Sequence, residues 1–95
     1  MKNRNSKKNI ASRIAEILRL AHQVTGQGKH CVFVDYSGHV DSLEIRIHLG
    51  GWFPNRSDDI EFRVWLPSRK CHFNNASRTF CELSIARAKL KSLLR

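Results

Sequence analysis

Two adjacent pairs, His30-Cys31 and Cys71-His72, together with Cys81, are the side chains best suited to hold a soft metal ion. Zinc sites usually draw such ligands from C-x₂₋₄-C and H-x₃₋₅-H spacings, which let two side chains of one segment converge on one ion. Neither spacing occurs here, so no metal is expected, and Cys31 is expected to pack in or near the core as a small apolar side chain. The acids are no better arranged for proton transfer. Asp58 and Asp59 are neighbours, so they point apart in an extended backbone and bond locally in a turn. Asp35 comes near His39 or Asp41 at a first hairpin, but no Ser, Cys or Lys nucleophile stands in a recognised motif. The chain has no phosphate-cradling glycine loop, H-E-x-x-H or G-x-S-x-G. A non-catalytic protein without a cofactor is expected.

Charge is the stronger signal. In 95 residues, 17 Lys and Arg face 8 Asp and Glu, a formal net charge of +9. Lys2, Arg4, Lys7 and Lys8 crowd the start, and from Arg69 onward Arg69, Lys70, Arg78, Arg87, Lys89, Lys91 and Arg95 face only Glu82. All four Asp residues, with Glu44 and Glu61, lie in the middle. Such a balance suits a polyanion: nucleic acid, an acidic protein or an anionic membrane. Arg87, Lys91 and Arg95 recur at i, i+4 and i+8, so a helix puts them on one face, where like charges repel unless an anion screens them. A phosphate backbone would do so and release counterions. The bland reading is a solvated helix end whose cations favour the negative end of the dipole.

These residues need elements to position them. Residues 1–8 carry no apolar anchor after Met1 and read as a flexible basic arm; 9–95 form one domain, since a second core does not fit this length. Ile10, Ile14, Ile17, Leu18 and Ala21 follow the helical period over residues 9–24, with Asn9 or Ser6 as cap and Gly26 and Gly28 as stop. Three strands follow. Residues 30–36 form an apolar run that suggests a central strand or one covered on both sides. Residues 43–49 and 60–66 alternate apolar and polar as half-buried strands do, and Pro67 ends the last. The links suit an antiparallel meander. The final helix spans residues 78–95, with Thr79 and Glu82 as a capping box and Phe80, Leu83, Ala86, Leu90 and Leu94 as its core stripe, flanked by Leu93. The expected fold is α+β in α-β-β-β-α order, a three-stranded antiparallel sheet with two helices on one face. The other face then displays Glu44, Arg46, His48, Glu61, Arg63 and Trp65.

That order of elements resembles double-stranded RNA-binding domains, which read duplex shape and phosphates with the first helix, the first hairpin loop and the start of the second helix. The resemblance covers most of the chain in topology alone. The start of the last helix, Arg78-Thr79-Phe80-Cys81-Glu82-Leu83, has one basic and one acidic residue where that family carries lysines, so its binding residues do not transfer.

A nucleic-acid-binding protein working through phosphates is therefore the first expectation, with Lys7, Lys8, Arg63, Arg69, Lys70, Arg87, Lys91 and Arg95 as contacts and the kind of nucleic acid left open. The alternative is a protein-interaction module, an inhibitor or accessory subunit using Arg46 and Trp65 on the sheet face, a sheet edge, or Trp52. Small basic chains poor in motifs resemble accessory proteins of bacteriophages and mobile elements. Trp52, which follows Gly50 and Gly51, stacks on a base or anchors a partner if it stands out; folding back over a small core is the reading preferred for it. A homodimer fits so short a chain. No apolar run approaches the roughly 20 residues of a membrane span, and the last helix needs its apolar stripe for the core, so no membrane partner is expected. The start lacks the apolar stretch of a secretory signal, and an odd cysteine count fits a reducing, cytoplasmic setting.

Overall fold

Leu43, Ile45 and Ile47 alternate with Ser42, Glu44, Arg46 and His48, and this period of two sends three large apolar side chains to one side of a strand. In the computed structural model all three are almost completely buried, and they lie on the middle strand of the sheet. The structure describes the backbone of residues 2–67 and 75–94, with side chains from Ile10 onward. Its elements are α1 (Lys2–Gly26), β1 (Cys31–Ser37), β2 (Ser42–His48), β3 (Ile60–Trp65) and α2 (Ala76–Leu93). The sheet has the order β1-β2-β3, antiparallel throughout, and both helices lie against one face of it, α1 over β1 and α2 over β3. This is the α+β meander that the alternation implies.

Register carries the alternation across the sheet. Val32, Ile47 and Ile60 align, as do Val34, Ile45 and Phe62, and then Tyr36, Leu43 and Val64. Against that face α1 buries Ile10, Ile17, Leu20, Ala21 and Val24, and α2 buries Thr79, Leu83, Ala86 and Leu90. Phe80, Leu93 and Leu94 close the margin of the core.

Several boundaries differ from the sequence expectation. The backbone of α1 is helical from Lys2, so the stretch read as an arm continues the helix and neither Ser6 nor Asn9 caps its start. Leu18, assigned to the buried stripe, is 51% exposed, and Leu20 and Val24 take its place. The stripe turns because α1 must face both the sheet and α2. β1 is an edge strand, not a central one. Its extra apolar residue, Phe33, faces the outer side, where the Arg46 guanidinium lies 5.1 Å from the ring centroid and the His48 ring at 5.3 Å. A cation over an aromatic face is favourable, so the apolar run needs no second covering layer.

The start of α2 is also earlier. Asn75 is the cap, its side chain accepting the Arg78 N–H at 2.8 Å. Thr79 is inside the helix, fully buried, and its hydroxyl donates to the Trp65 carbonyl at 2.9 Å. A residue expected to cap the helix instead fastens it to the end of β3. Replacing Thr79 by Val keeps the volume and removes this donor; the expected loss is about 1 kcal/mol, read as a lower urea midpoint with an unchanged m value.

Candidate nucleic-acid interface

Chain direction decides which cations can act together. A short turn links α1 to β1, and the Val32 N–H donates to Thr25 Oγ1 at 3.0 Å, so the end of α1 sits at the start of β1. β1 then runs back toward the start of α1 and ends in the hairpin of Gly38, His39, Val40 and Asp41. The Leu66 N–H donates to the Asp41 carbonyl at 2.9 Å, and Thr79 joins α2 to Trp65. The start of α1, the first hairpin and the start of α2 therefore share one end of the molecule. The long loop between β2 and β3 and the end of α2 occupy the other.

The basic end has a simple local origin. Lys2, Arg4, Lys7 and Lys8 all precede Glu16, the first acid in the chain. At the hairpin, Asp41 takes a left-handed φ of 54°, and its carboxylate accepts the Tyr36 hydroxyl at 2.7 Å. That bond pushes the Tyr36 phenol above its usual range, with burial and the Asp41 charge adding to it. His39 is exposed on this turn. At the start of α2, Arg78 is mostly exposed and lies 3.5 Å from Glu82 on the next turn.

Elsewhere the arginines are matched to acids. Arg87, expected on an outward stripe with Lys91 and Arg95, points into the seam between the helices, 2.6 Å from Glu16. Glu16 also holds Arg13 at 3.2 Å, and Arg13 lies over the Phe80 ring at 4.7 Å. Arg87, then Arg13 and Arg19, hold the Glu16 carboxyl below the usual range against the opposing effect of burial. Lys91 is exposed at the far end of α2, and Arg95 lies outside the described residues. The stripe is thus divided by the helix seam: Arg87 sits where α1 supplies a carboxylate.

The outer sheet face is a mixed-charge ladder. Arg46 pairs with Asp35 and lies 3.9 Å from Glu44, which takes Arg63 at 2.9 Å. Arg46 and Arg63 are therefore engaged within the chain and are poorly placed to take phosphates. Glu61 stands beside Glu44. A proton shared between them pushes Glu61 up and, with Arg63, holds Glu44 down. Trp65 lies on this face, half-buried, in register with Ser42. His48, expected to face solvent, is 4% exposed behind Phe33.

Trp52 and Phe53 do not fold back over the core; they are 52% and 54% exposed. Their loop is held at its base. Gly50 and Gly51 adopt φ of 82° and 112°, and the Gly50 N–H donates to His30 Nδ1 at 2.9 Å. Asp59 accepts the Leu49 N–H at 2.8 Å and Arg56 at 3.0 Å, and these two keep its carboxyl below the usual range. Sequence reasoning gave Asp59 only a local role and missed that it closes the loop presenting Trp52.

Arg69, Lys70, Cys71 and His72 lie outside the described residues, and of Lys7 and Lys8 the backbone alone is described. Among the described residues no group of three or more His, Cys, Asp or Glu could hold a metal ion, Cys31 and Cys81 are free thiols, and no helix is long and apolar enough to cross a membrane.

The Glu16 cluster gives a pH test. A carboxyl held low in the folded state stabilises above the ordinary glutamate range, and that contribution is lost as pH falls through the folded value. Glu16→Gln should lower the urea midpoint at about pH 7, where it leaves Arg87 without its counter-charge, and the gap from wild type should narrow at about pH 3.

Compared with known proteins, the chain matches no family model, no curated protein and no solved structure.

Proposed function

We propose that this protein binds nucleic acid without catalysis, through phosphate contacts made by the end that joins the start of α1, the first hairpin and the start of α2. The observation that carries this reading is the division of charge. The arginines of the sheet and helix seam are spent on Glu16, Asp35, Glu44 and Asp59, while Lys2, Arg4, Lys7 and Lys8 stand on a helix start with no acid before Glu16. A net charge of +9 must then reside mainly at helix ends and in the link between β3 and α2, where Arg69 and Lys70 lie in the sequence. Each lysine that moves to a phosphate releases a counterion on arrival. The three elements at this end are those through which double-stranded RNA-binding domains meet a duplex, which supports trying duplexes first.

A second reading rests on Trp52 and Phe53. Two aromatics half-exposed on a loop fastened by His30 and Asp59 have the form of a protein-contact anchor, since their ordering cost is already met.

The test is a salt series against duplex RNA, duplex DNA and their single strands. Binding should weaken steeply with salt, and Lys7→Ala with Lys8→Ala should reduce the slope of log K against log salt by up to about 2. Arg87→Gln should lower stability and leave that slope unchanged. No binding to any of the four at about 50 mM salt, or a slope the lysine pair does not alter, removes this reading.

A further inference from the structure

β3 is an edge strand whose free side borders a shallow groove of about 220 Å³. Glu61, Phe62, Arg63 and Val64 of β3 line it, with Glu82 and Ile85 of α2. Ile85 is 56% exposed, an apolar side chain on a helix whose core stripe is already complete.

The pairing pattern shows which backbone groups face outward. The Leu66 N–H donates to Asp41 across the β2–β3 register, which makes that pair a hydrogen-bonded one. Such pairs recur every second residue, so Ile60, Phe62 and Val64 spend their backbone groups on β2, and Glu61, Arg63 and Trp65 direct theirs to the free edge. Thr79 already takes the Trp65 carbonyl. Among the described residues no group takes the N–H and C=O of Glu61 and Arg63, which form a short template for another strand.

From this edge we infer that a second copy of the chain pairs antiparallel with β3 about a two-fold axis at Phe62, giving one six-stranded sheet. Charge selects this occupant and this register. With Phe62 opposite its counterpart, Glu61 of each chain faces Arg63 of the other in both symmetric positions, and these two pairs are also the ones whose backbone groups point outward. Moving the axis to Glu61 sets two carboxylates face to face, and moving it to Arg63 sets two guanidiniums face to face, both unfavourable across a strand pair. Shifting by half that step turns the apolar side of one strand against the charged side of the other. Glu61 has no ion-pair partner among the described residues and stands against the Glu44 carboxylate, and Arg63 of its own chain, held on Glu44, offsets it only in part, so Arg63 of the second copy adds an ion pair to Glu61 while keeping its own Glu44. On the helix side, Phe62 and Ile85 of each copy come together over the groove, as an isologous interface requires. The far edge offers no equivalent. On β1 the Val32 N–H is taken by Thr25, and Asp35 is the one charged residue of the strand.

The test is molecular mass in solution by light scattering and sedimentation, with far-UV circular dichroism to confirm folding. Wild type should reach twice the chain mass by about 0.5 mM. Glu61→Arg alone and Arg63→Glu alone each set like charges opposite in the homodimer and should be monomeric. Mixed together they restore two opposite-charge pairs and should form a heterodimer. Ile85→Lys, on an exposed helix position, should weaken the dimer without altering either ion pair. Wild type that stays monomeric, single variants that still dimerise, an Ile85→Lys chain as dimeric as wild type, or a mixture that does not associate overturns the inference. Because none of these readouts involves nucleic acid, they stand or fall separately from the phosphate-binding reading.

Discussion

Leu43, Ile45 and Ile47 can be dry only if a layer of helix lies across the middle strand, and one helix about 10 Å wide does not cover three strands. Two helices side by side do, and their seam then runs over the sheet. Much of the molecule follows from that constraint. α1 and α2 must each give an apolar stripe to the sheet and a second strip to one another, which is why Leu20 and Val24 are buried and Leu18 is not. The side of the sheet without helices must carry polar groups, and it does so as a ladder of ion pairs. Among the described residues both outer strands leave one edge without a strand partner, because the meander has three strands.

The same seam decides the electrostatics. A guanidinium close to a helix–helix contact is costly unless an acid faces it. Glu16 supplies that acid for Arg87 and gathers Arg13 and Arg19 around itself. Asp35, Glu44 and Asp59 do similar work for Arg46, Arg63 and Arg56. The arginines at the centre of the chain are therefore structural, with planar donors held by fixed carboxylates. The lysines Lys29, Lys89 and Lys91 have no ion-pair partner among the described residues. A charge total read from composition treats these two sets alike, although one is committed to the fold and the other is not.

This difference marks how far the sequence could be read. Fold class, strand order and the inward face of β2 and β3 follow from a period of two, a local property that any packed solution must respect. What depended on a second element did not follow. Arg87 falls on the same helical face as Lys91, but whether that face meets solvent depends on where α1 lies. Thr79 has the spacing of a cap, but Asn75, earlier by one turn, takes that role once the helix is anchored at Trp65. Phe33 lengthens the apolar run of β1, and its place on the outer face depends on Arg46, thirteen residues later, lying over its ring. For Trp52 the preferred expectation is a cover over a small core, with an exposed contact role as the alternative, yet the two helices already cover the core and Trp52 is exposed.

The open edge of β3 is where these lines meet. A strand left at the side of a small sheet is usually guarded by charge, and alternating Glu61 and Arg63 do guard it against most neighbours, since a strand of arbitrary sequence leaves one of the two charges unmatched. Alternation of opposite charges has one exception built into it. Reversed and laid against itself about its midpoint, the sequence Glu-Phe-Arg becomes its own complement. The midpoint is Phe62, the residue whose side chain already lies beside the exposed Ile85. The feature that protects the edge from other strands is thus the one that admits its own copy, and it does so in the single register that also aligns the outward backbone groups.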